Sequence, residues 1–310
     1  QVTSQHVIRG DEVCVAVNTE AEGVVADGKL TFAYDSKSLK FVGAEAGEAW
    51  PAGTELSLKV NSGKKDAVVA AFAGAKAAKA GTVLTLRFEA LQECRTQVVL
   101  QGGYISGAKD AKLQSTATLL VECPASRFTD VDRNEYYHEG IDFVVSRGYM
   151  IGMGGAKFQP DTEMSRAMLV TVLYRIAGEP SVKGTAPFRD VEKNSWYTNA
   201  VIWAYQNNVT NGVSATEFAP EENVTREQMA AILYRYAQYK KYNTAASSSL
   251  NGFSDHAGVS GYAVTPLQWA VAEKLVNGTA GKLMSTGNAT RAQVAAILHR
   301  FVENVAKTTK

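Results

Sequence analysis

Three arginines stand where a helix is expected to begin. Arg166, Arg226 and Arg291 each follow a hydroxyl residue, Ser165, Thr225 or Thr290, and each opens a run whose apolar residues recur at three and four. The hydroxyl is placed to cap the helix, which puts the arginine at its first position. Thr225 with Gln228, and Thr290 with Gln293, complete a capping box, whereas Met168 leaves Ser165 as a simple cap. A helix N-terminus carries partial positive charge that opposes a cation by about 0.3–1 kcal/mol. An arginine set against that rule three times points to an anion. Such an anion would meet free backbone N–H groups, the helix dipole and a guanidinium together. A carboxylate could be held there by two parallel bonds. The other reading is an ion pair with the Asp that opens the same or the next unit. On the anion reading, Arg226→Ala weakens ligand binding and changes folding stability by less than ~1 kcal/mol.

Other candidates lie at fixed intervals from these arginines. Asp130, Asp190 and Asp255 are expected to cap the first helix of each unit, and some to orient the arginine as well. Gly152, Gly212 and Gly278 suit a positive φ in a loop, and the missing side chain would also let a ligand approach the backbone. Trp203 and Trp269 lie on apolar helical faces, which favours a core role over a sugar platform; Phe143 keeps aromatic size at the same place without the indole N–H.

Catalytic and metal chemistry have no comparable nominee. His6, His138, His256 and His299 form no ligand-spaced pair. Asp130-Val131-Asp132-Arg133-Asn134 begins like a calcium loop, but Glu135 stands where that loop needs glycine. No phosphate loop or nucleophile elbow is present. Cys14, Cys94 and Cys123 have no C-x-x-C spacing, and their odd number leaves at least one without an internal disulfide partner. No catalytic residue, metal or cofactor is expected.

The elements that must position these residues fall into two grammars. Up to about Val121 the pattern has period two: Val13, Val15 and Val17; Leu30, Phe32 and Tyr34; Leu84, Leu86 and Phe88. Turn residues such as Asp27-Gly28, Asn61-Ser62-Gly63 and Gly102-Gly103 separate the runs. Many short strands of this kind predict a β-sandwich. After Pro124 the period becomes that of amphipathic helices. Five landmarks then recur three times. From the opening Asp to an aromatic (Phe143, Trp203, Trp269) is 13, 13 and 14 residues; from there to the glycine is 9 each time. From glycine to the first Arg is 14, 14 and 13, and from that Arg to a second, Arg175, Arg235 or Arg300, is again 9. Each unit reads as helix, long loop, helix.

Composition fits 310 residues in two or three globular domains. The net charge of +1, from 32 basic and 31 acidic residues, argues against a protein built to grip nucleic acid. No apolar run approaches the ~20 residues of a membrane span.

The repeated units resemble S-layer homology domains. The resemblance rests on Phe128-Thr129-Asp130-Val131, Phe188-Arg189-Asp190-Val191 and Phe253-Ser254-Asp255-His256, with Ser165-Arg166-Ala167-Met168, Thr225-Arg226-Glu227-Gln228 and Thr290-Arg291-Ala292-Gln293. It implies a C-terminal all-α, pseudo-threefold bundle of three repeats, over 126–180, 186–242 and 251–306. It also implies non-covalent binding to a pyruvylated secondary cell wall polysaccharide through the arginines, aspartates, glycines, cap hydroxyls and tryptophans named above. All three helices lack the family's usual Glu, and the third unit lacks the Val and Pro of the others, so the Arg226 site is expected to bind tightest and the Arg291 site weakest. Residues 1–123 resemble a cohesin-like β-sandwich of the jelly-roll kind, on Leu30-Thr-Phe-Ala-Tyr34-Asp35-Ser-Lys-Ser-Leu39-Lys-Phe41 and Gly81-Thr-Val-Leu-Thr-Leu-Arg-Phe88. Together these imply a multidomain, non-catalytic protein, secreted and held at the cell wall or S-layer of a Gram-positive-type bacterium. It would be an S-layer component or adhesin, self-assembling or meeting a protein partner through the sandwich. The alternatives are an anchoring scaffoldin that binds dockerin-bearing partners, and the anchor fragment of a cell-wall hydrolase.

Overall fold

The computed structural model describes residues 7–19, 25–52, 56–62, 66–78, 80–93, 95–105 and 115–306. His6, Gly63 and Cys94 lie outside them. The chain divides into two compact units, Gln1–Cys123 and Pro124–Lys310.

The first unit is a β-sandwich, with nine strands among the described residues. One sheet holds β1 (Val7–Ile8), β9 (Ser115–Glu122), β8 (Arg95–Ile105), β3 (Val25–Tyr34), β6 (Ala67–Ala78) and β5 (Leu56–Asn61), in that order. The other holds β2 (Glu12–Thr19), β7 (Gly81–Ala90) and β4 (Leu39–Ala46). Pairing is antiparallel except for β1 on β9, which are parallel. The alternation read in the sequence becomes the core. Val13 and Val15, Leu30 and Phe32, Leu86 and Phe88 turn inward from both sheets, and their intervening neighbours do not. Tyr34 and Phe41 pack against the ring of Phe88, with centroids 5.2 and 5.6 Å away.

The second unit is helical: α1 (His138–Ser146), α2 (Arg166–Ile176), α3 (Thr198–Gln206), α4 (Arg226–Tyr239), α5 (Val264–Ala272) and α6 (Arg291–Phe301), with short 3-10 turns and a closing π turn. Among the described residues no helix is long and apolar enough to cross a membrane. The caps are those the sequence announces. Thr225 and Thr290 form full capping boxes with Gln228 and Gln293, and the Ser165 hydroxyl accepts the Met168 N–H alone.

Helices pack between units rather than chiefly within them: α2 against α3, α4 against α5, and α6 back against α1. Gly140 of α1 makes the last contact close, because a Cβ there would lie 2.7 Å from the Ala296 backbone. A ring of backbone bonds ties the same three positions. The Met164 N–H donates to the Ala289 carbonyl, Ala289 to Val224, and Val224 back to Met164, each at 2.9 Å. Beside this ring the Asn288 amide donates to Glu163 Oε2 at 3.0 Å, and the Asn223 amide donates to the same oxygen.

Candidate functional site

The opening aspartates do not cap helices. The residue before α1 is Tyr137, and that before α3 is Tyr197; neither makes a side-chain cap bond. Asp130 instead accepts the N–H groups of Phe158 and Gln159, at 2.9 Å each. Asp190 does the same for Phe218 and Ala219, and Asp255 for Leu283 and Met284. In each pair the second residue has a left-handed backbone, with φ of 57°, 57° and 52°. A non-glycine residue there is strained by about 1–2 kcal/mol. The carboxylate holds that strained turn against the end of the long loop. The capping expectation failed because the bond spans 28 or 29 residues, beyond any local pattern.

These bonds set an acid limit on the fold. Burial opposes ionisation of Asp130, but the backbone N–H groups of Phe158 and Gln159, with Lys157 nearby, outweigh it and hold the carboxyl below its usual range. The bonds from Leu283 and Met284 depress Asp255 likewise. A depressed carboxylate contributes stability that is present above its unfolded value, near 4, and is lost as pH falls through the folded value. The helical unit is expected to lose stability as pH drops below about 4. Asp130→Asn should flatten that loss in a pH series of thermal melts; an unchanged slope would remove Asp130 from the account.

The glycines are required by close approach. A Cβ on Gly152, Gly212 or Gly278 would lie 2.5–2.6 Å from Phe128, Phe188 or Phe253 respectively, the phenylalanine that opens the same unit. Gly212 and Gly278 also have positive φ, 77° and 70°.

Each first arginine reaches across to the loop of another unit. Arg166 Nε donates to the Phe218 carbonyl at 2.8 Å, Arg226 Nε to Leu283 at 2.9 Å, and Arg291 Nε to Phe158 at 2.9 Å. Arg166 and Arg291 lie over the rings of Phe218 and Phe158, 5.0 and 4.5 Å from the centroids. Among the described residues none of the three has a carboxylate within salt-bridge distance, so the ion pair with an opening Asp is not formed. Burial pulls all three guanidinium pKa values down. The expectation that Arg226 contributes less than ~1 kcal/mol to stability did not include this bond to Leu283, and a hydrogen bond from a charged group typically contributes about 1.5–3 kcal/mol.

Among the described residues two grooves form where three units meet. The first, of about 280 Å³, joins Arg166 of the first unit, Asn211, Gly212, Gln228 and Arg235 of the second, and Tyr262 of the third. The second, of about 390 Å³, joins Arg226 of the second unit, Asn277, Gly278, Gln293 and Arg300 of the third, and Tyr136 of the first. Each is sized for a small ligand. Among the described residues Arg235 has no hydrogen-bond partner, and Arg300 makes only a long bond, 3.4 Å, to the Leu275 carbonyl. These second arginines therefore have donors to give.

Trp203 and Trp269 do not serve as platforms. They are 3% and 1% exposed, packed among Tyr174, Tyr236 and Tyr239 in one case and Tyr234 and Phe301 in the other. Exposed aromatics at the matching place in each unit are Tyr136, Trp196 and Tyr262, at 61%, 57% and 52%. They follow the opening Asp by 6, 6 and 7 residues, a recurrence that could have found them. Ser165, Thr225 and Thr290 spend their hydroxyls on the caps. At the positions matching the groove amides, the first unit has Ile151 and Met168. There Arg291 commits a second donor, Nη2, to the Ile151 carbonyl at 2.7 Å.

Comparison with known proteins agrees with this division. The S-layer homology domain model matches residues 127–167 and 187–230, and the cohesin domain model matches residues 2–120. The third unit lies outside the first of these matches. A surface-layer 125 kDa protein of Lysinibacillus sphaericus is 30% identical over 67% of this chain, which is 17% of that protein. An amylopullulanase of Thermoanaerobacterium thermosulfurigenes is 30% identical over 66% of this chain, 11% of its own length. The chain thus spans less than a fifth of either relative. A solved cohesin module from a Clostridium perfringens family 33 glycoside hydrolase aligns with 39% of this chain and 94% of its own, at 10% identity and a TM-score of 0.34.

Proposed function

Since the chain joins a cohesin domain to S-layer homology repeats, we propose that its helical unit holds it non-covalently to a pyruvylated secondary cell wall polysaccharide. The observation that carries this reading is a guanidinium, buried at Arg166 and half-buried at Arg226, with no carboxylate partner among the described residues, beside a second arginine with donors to spare, in two grooves of the same composition. A buried charge left unpaired is costly, and an anion entering the groove relieves it. The ketal carboxylate of a pyruvylated sugar is such an anion. Arg235 or Arg300 would hold it through a fork, while Arg166 or Arg226 supplies fixed charge behind it. Tyr262 or Tyr136 would lie against the sugar ring, and the bare backbone at Gly212 or Gly278 lets the sugar approach. Asp130, Asp190 and Asp255 shape the loops and do not touch the ligand. The cyclic helix packing and the ring through Met164, Val224 and Ala289 support reading 126–180, 186–242 and 251–306 as three pseudo-threefold repeats.

The ranking of sites follows from the same groups. The Arg226 groove has Tyr136, Gln293 and Arg300; the matching place beside Arg291 has Ile151 and Met168, and its guanidinium is spent on two carbonyls. Binding should be strongest in the former and weakest in the latter.

On this reading the protein is a non-catalytic component of the cell surface, an S-layer protein or adhesin. The cohesin match over residues 2–120 favours a second function in the same molecule, a sandwich that binds dockerin-bearing partners. Hydrolases among the relatives, the amylopullulanase for one, support a third arrangement, an anchor attached to a catalytic chain. Residues 124–310 alone should sediment with purified cell walls, and residues 1–123 alone should not. Wall binding by the sandwich fragment alone would defeat the anchor assignment.

A further inference from the structure

The middle unit carries one residue its counterparts lack. Glu227 stands on α4 where α2 has Ala167 and α6 has Ala292. It is only 5% exposed. Its Oε1 accepts the Ser260 hydroxyl at 2.7 Å and the Tyr262 hydroxyl at 3.1 Å, and its Oε2 accepts the Ser260 backbone N–H at 3.2 Å. A carboxylate this buried is costly unless donors satisfy it, and here three do. All three come from the stretch where the third unit departs from the spacing of the others. Tyr262 is half-exposed in the Arg166 groove, so the buried acid reaches that groove through the phenol.

A phenol has one proton to donate. Tyr262 gives its proton to Glu227, and what its oxygen offers the groove is lone pairs. In the Arg226 groove Tyr136 holds the matching place, while Ala292 replaces the acid, so that hydroxyl keeps its proton for a ligand. We propose that Glu227 fixes the hydrogen-bond polarity of Tyr262, so that the Arg166 groove reads a donor hydroxyl on the saccharide while the Arg226 groove offers a donor of its own. The two grooves then select different sugars, or different hydroxyls of one sugar. This inference rests on the groove-binding function above. Glu227 is a positioning residue and does not itself touch the ligand. Burial and Glu227 push the Tyr262 hydroxyl up to about 12 against the opposing charges of Arg166 and Arg235.

The test uses the full chain labelled at tyrosine Cζ, with Tyr262 identified by Y262F. Without ligand, Tyr262 should titrate at lower pH in E227A than in the wild type, with E227Q as a second variant that keeps the side-chain volume. Alanine already serves at this place in the other two units. The binding probe is a methyl hexopyranoside carrying a 4,6-linked pyruvyl ketal, compared with its 2-O-methyl and 3-O-methyl ethers, each lacking one donor. The backbone amides of Gly212 and Gly278 report the two grooves separately. One ether should lose about tenfold in affinity at Gly212 and not at Gly278, and E227A should erase that difference. Equal losses at both glycines, or a Tyr262 titration unmoved in E227A, would overturn the inference while leaving the function standing. Saturation at neither glycine would overturn the function itself and the ligand half of the inference with it.

Discussion

Replacing Arg291 with alanine is expected to destabilise the helical unit by about 3 kcal/mol, from two charge-assisted bonds each worth about 1.5 kcal/mol or more. The side chain is 4% exposed and ties the third unit to the first through the Phe158 and Ile151 carbonyls. Alanine would leave both acceptors short of a partner and remove the planar group lying 4.5 Å over Phe158. The neighbouring backbone bonds, from the Arg291 N–H to Thr162 and the Ala292 N–H to Pro160, remain but depend on the same closure. Urea unfolding of the full chain, followed by the helical circular dichroism signal, should show an earlier midpoint for Arg291→Ala than for Arg226→Ala, whose side chain makes one such bond. Superimposable curves for wild type and Arg291→Ala would show that the clamp does not hold the ring closed.

The largest expected loss of affinity lies at the second arginines. Arg235→Ala should weaken pyruvylated saccharide in the Arg166 groove by at least about 2 kcal/mol, roughly thirtyfold, because it removes a charge-assisted bond from a shielded site. Arg300→Ala should do the same in the Arg226 groove. Neither change should move the melting temperature much. Arg235 has no hydrogen-bond partner among the described residues, and the Arg300 bond to Leu275 is long. Calorimetric titration of each variant decides the matter. If Arg235→Ala and Arg300→Ala both bind as the wild type does, the carboxylate is not held by these forks.

The caps and the helix periods were legible because they are local: Thr225 and Gln228 are three residues apart, and so are Thr290 and Gln293. The alternation of Leu84, Leu86 and Phe88 gave one face of a sandwich strand for the same reason. What the sequence concealed were bonds between distant segments. The parallel pairing of β1 with β9 joins residues more than a hundred apart. The turn-holding role of Asp130, Asp190 and Asp255 depends on a loop that returns after 28 residues. The second arginines were visible as landmarks, but their role appears only when one unit's Gly212 and Arg235 meet another's Arg166 and Tyr262. Trp203 and Trp269 pass from nominated ligands to core residues by the same helical period that first placed them on apolar faces.

Cosedimentation of the full chain with purified cell walls, before and after mild acid removes the pyruvyl ketals while leaving the polysaccharide attached, tests the anchor most directly. The chain should pellet with intact walls and stay in solution with the depyruvylated ones. Equal pelleting with both would contradict a carboxylate-reading groove.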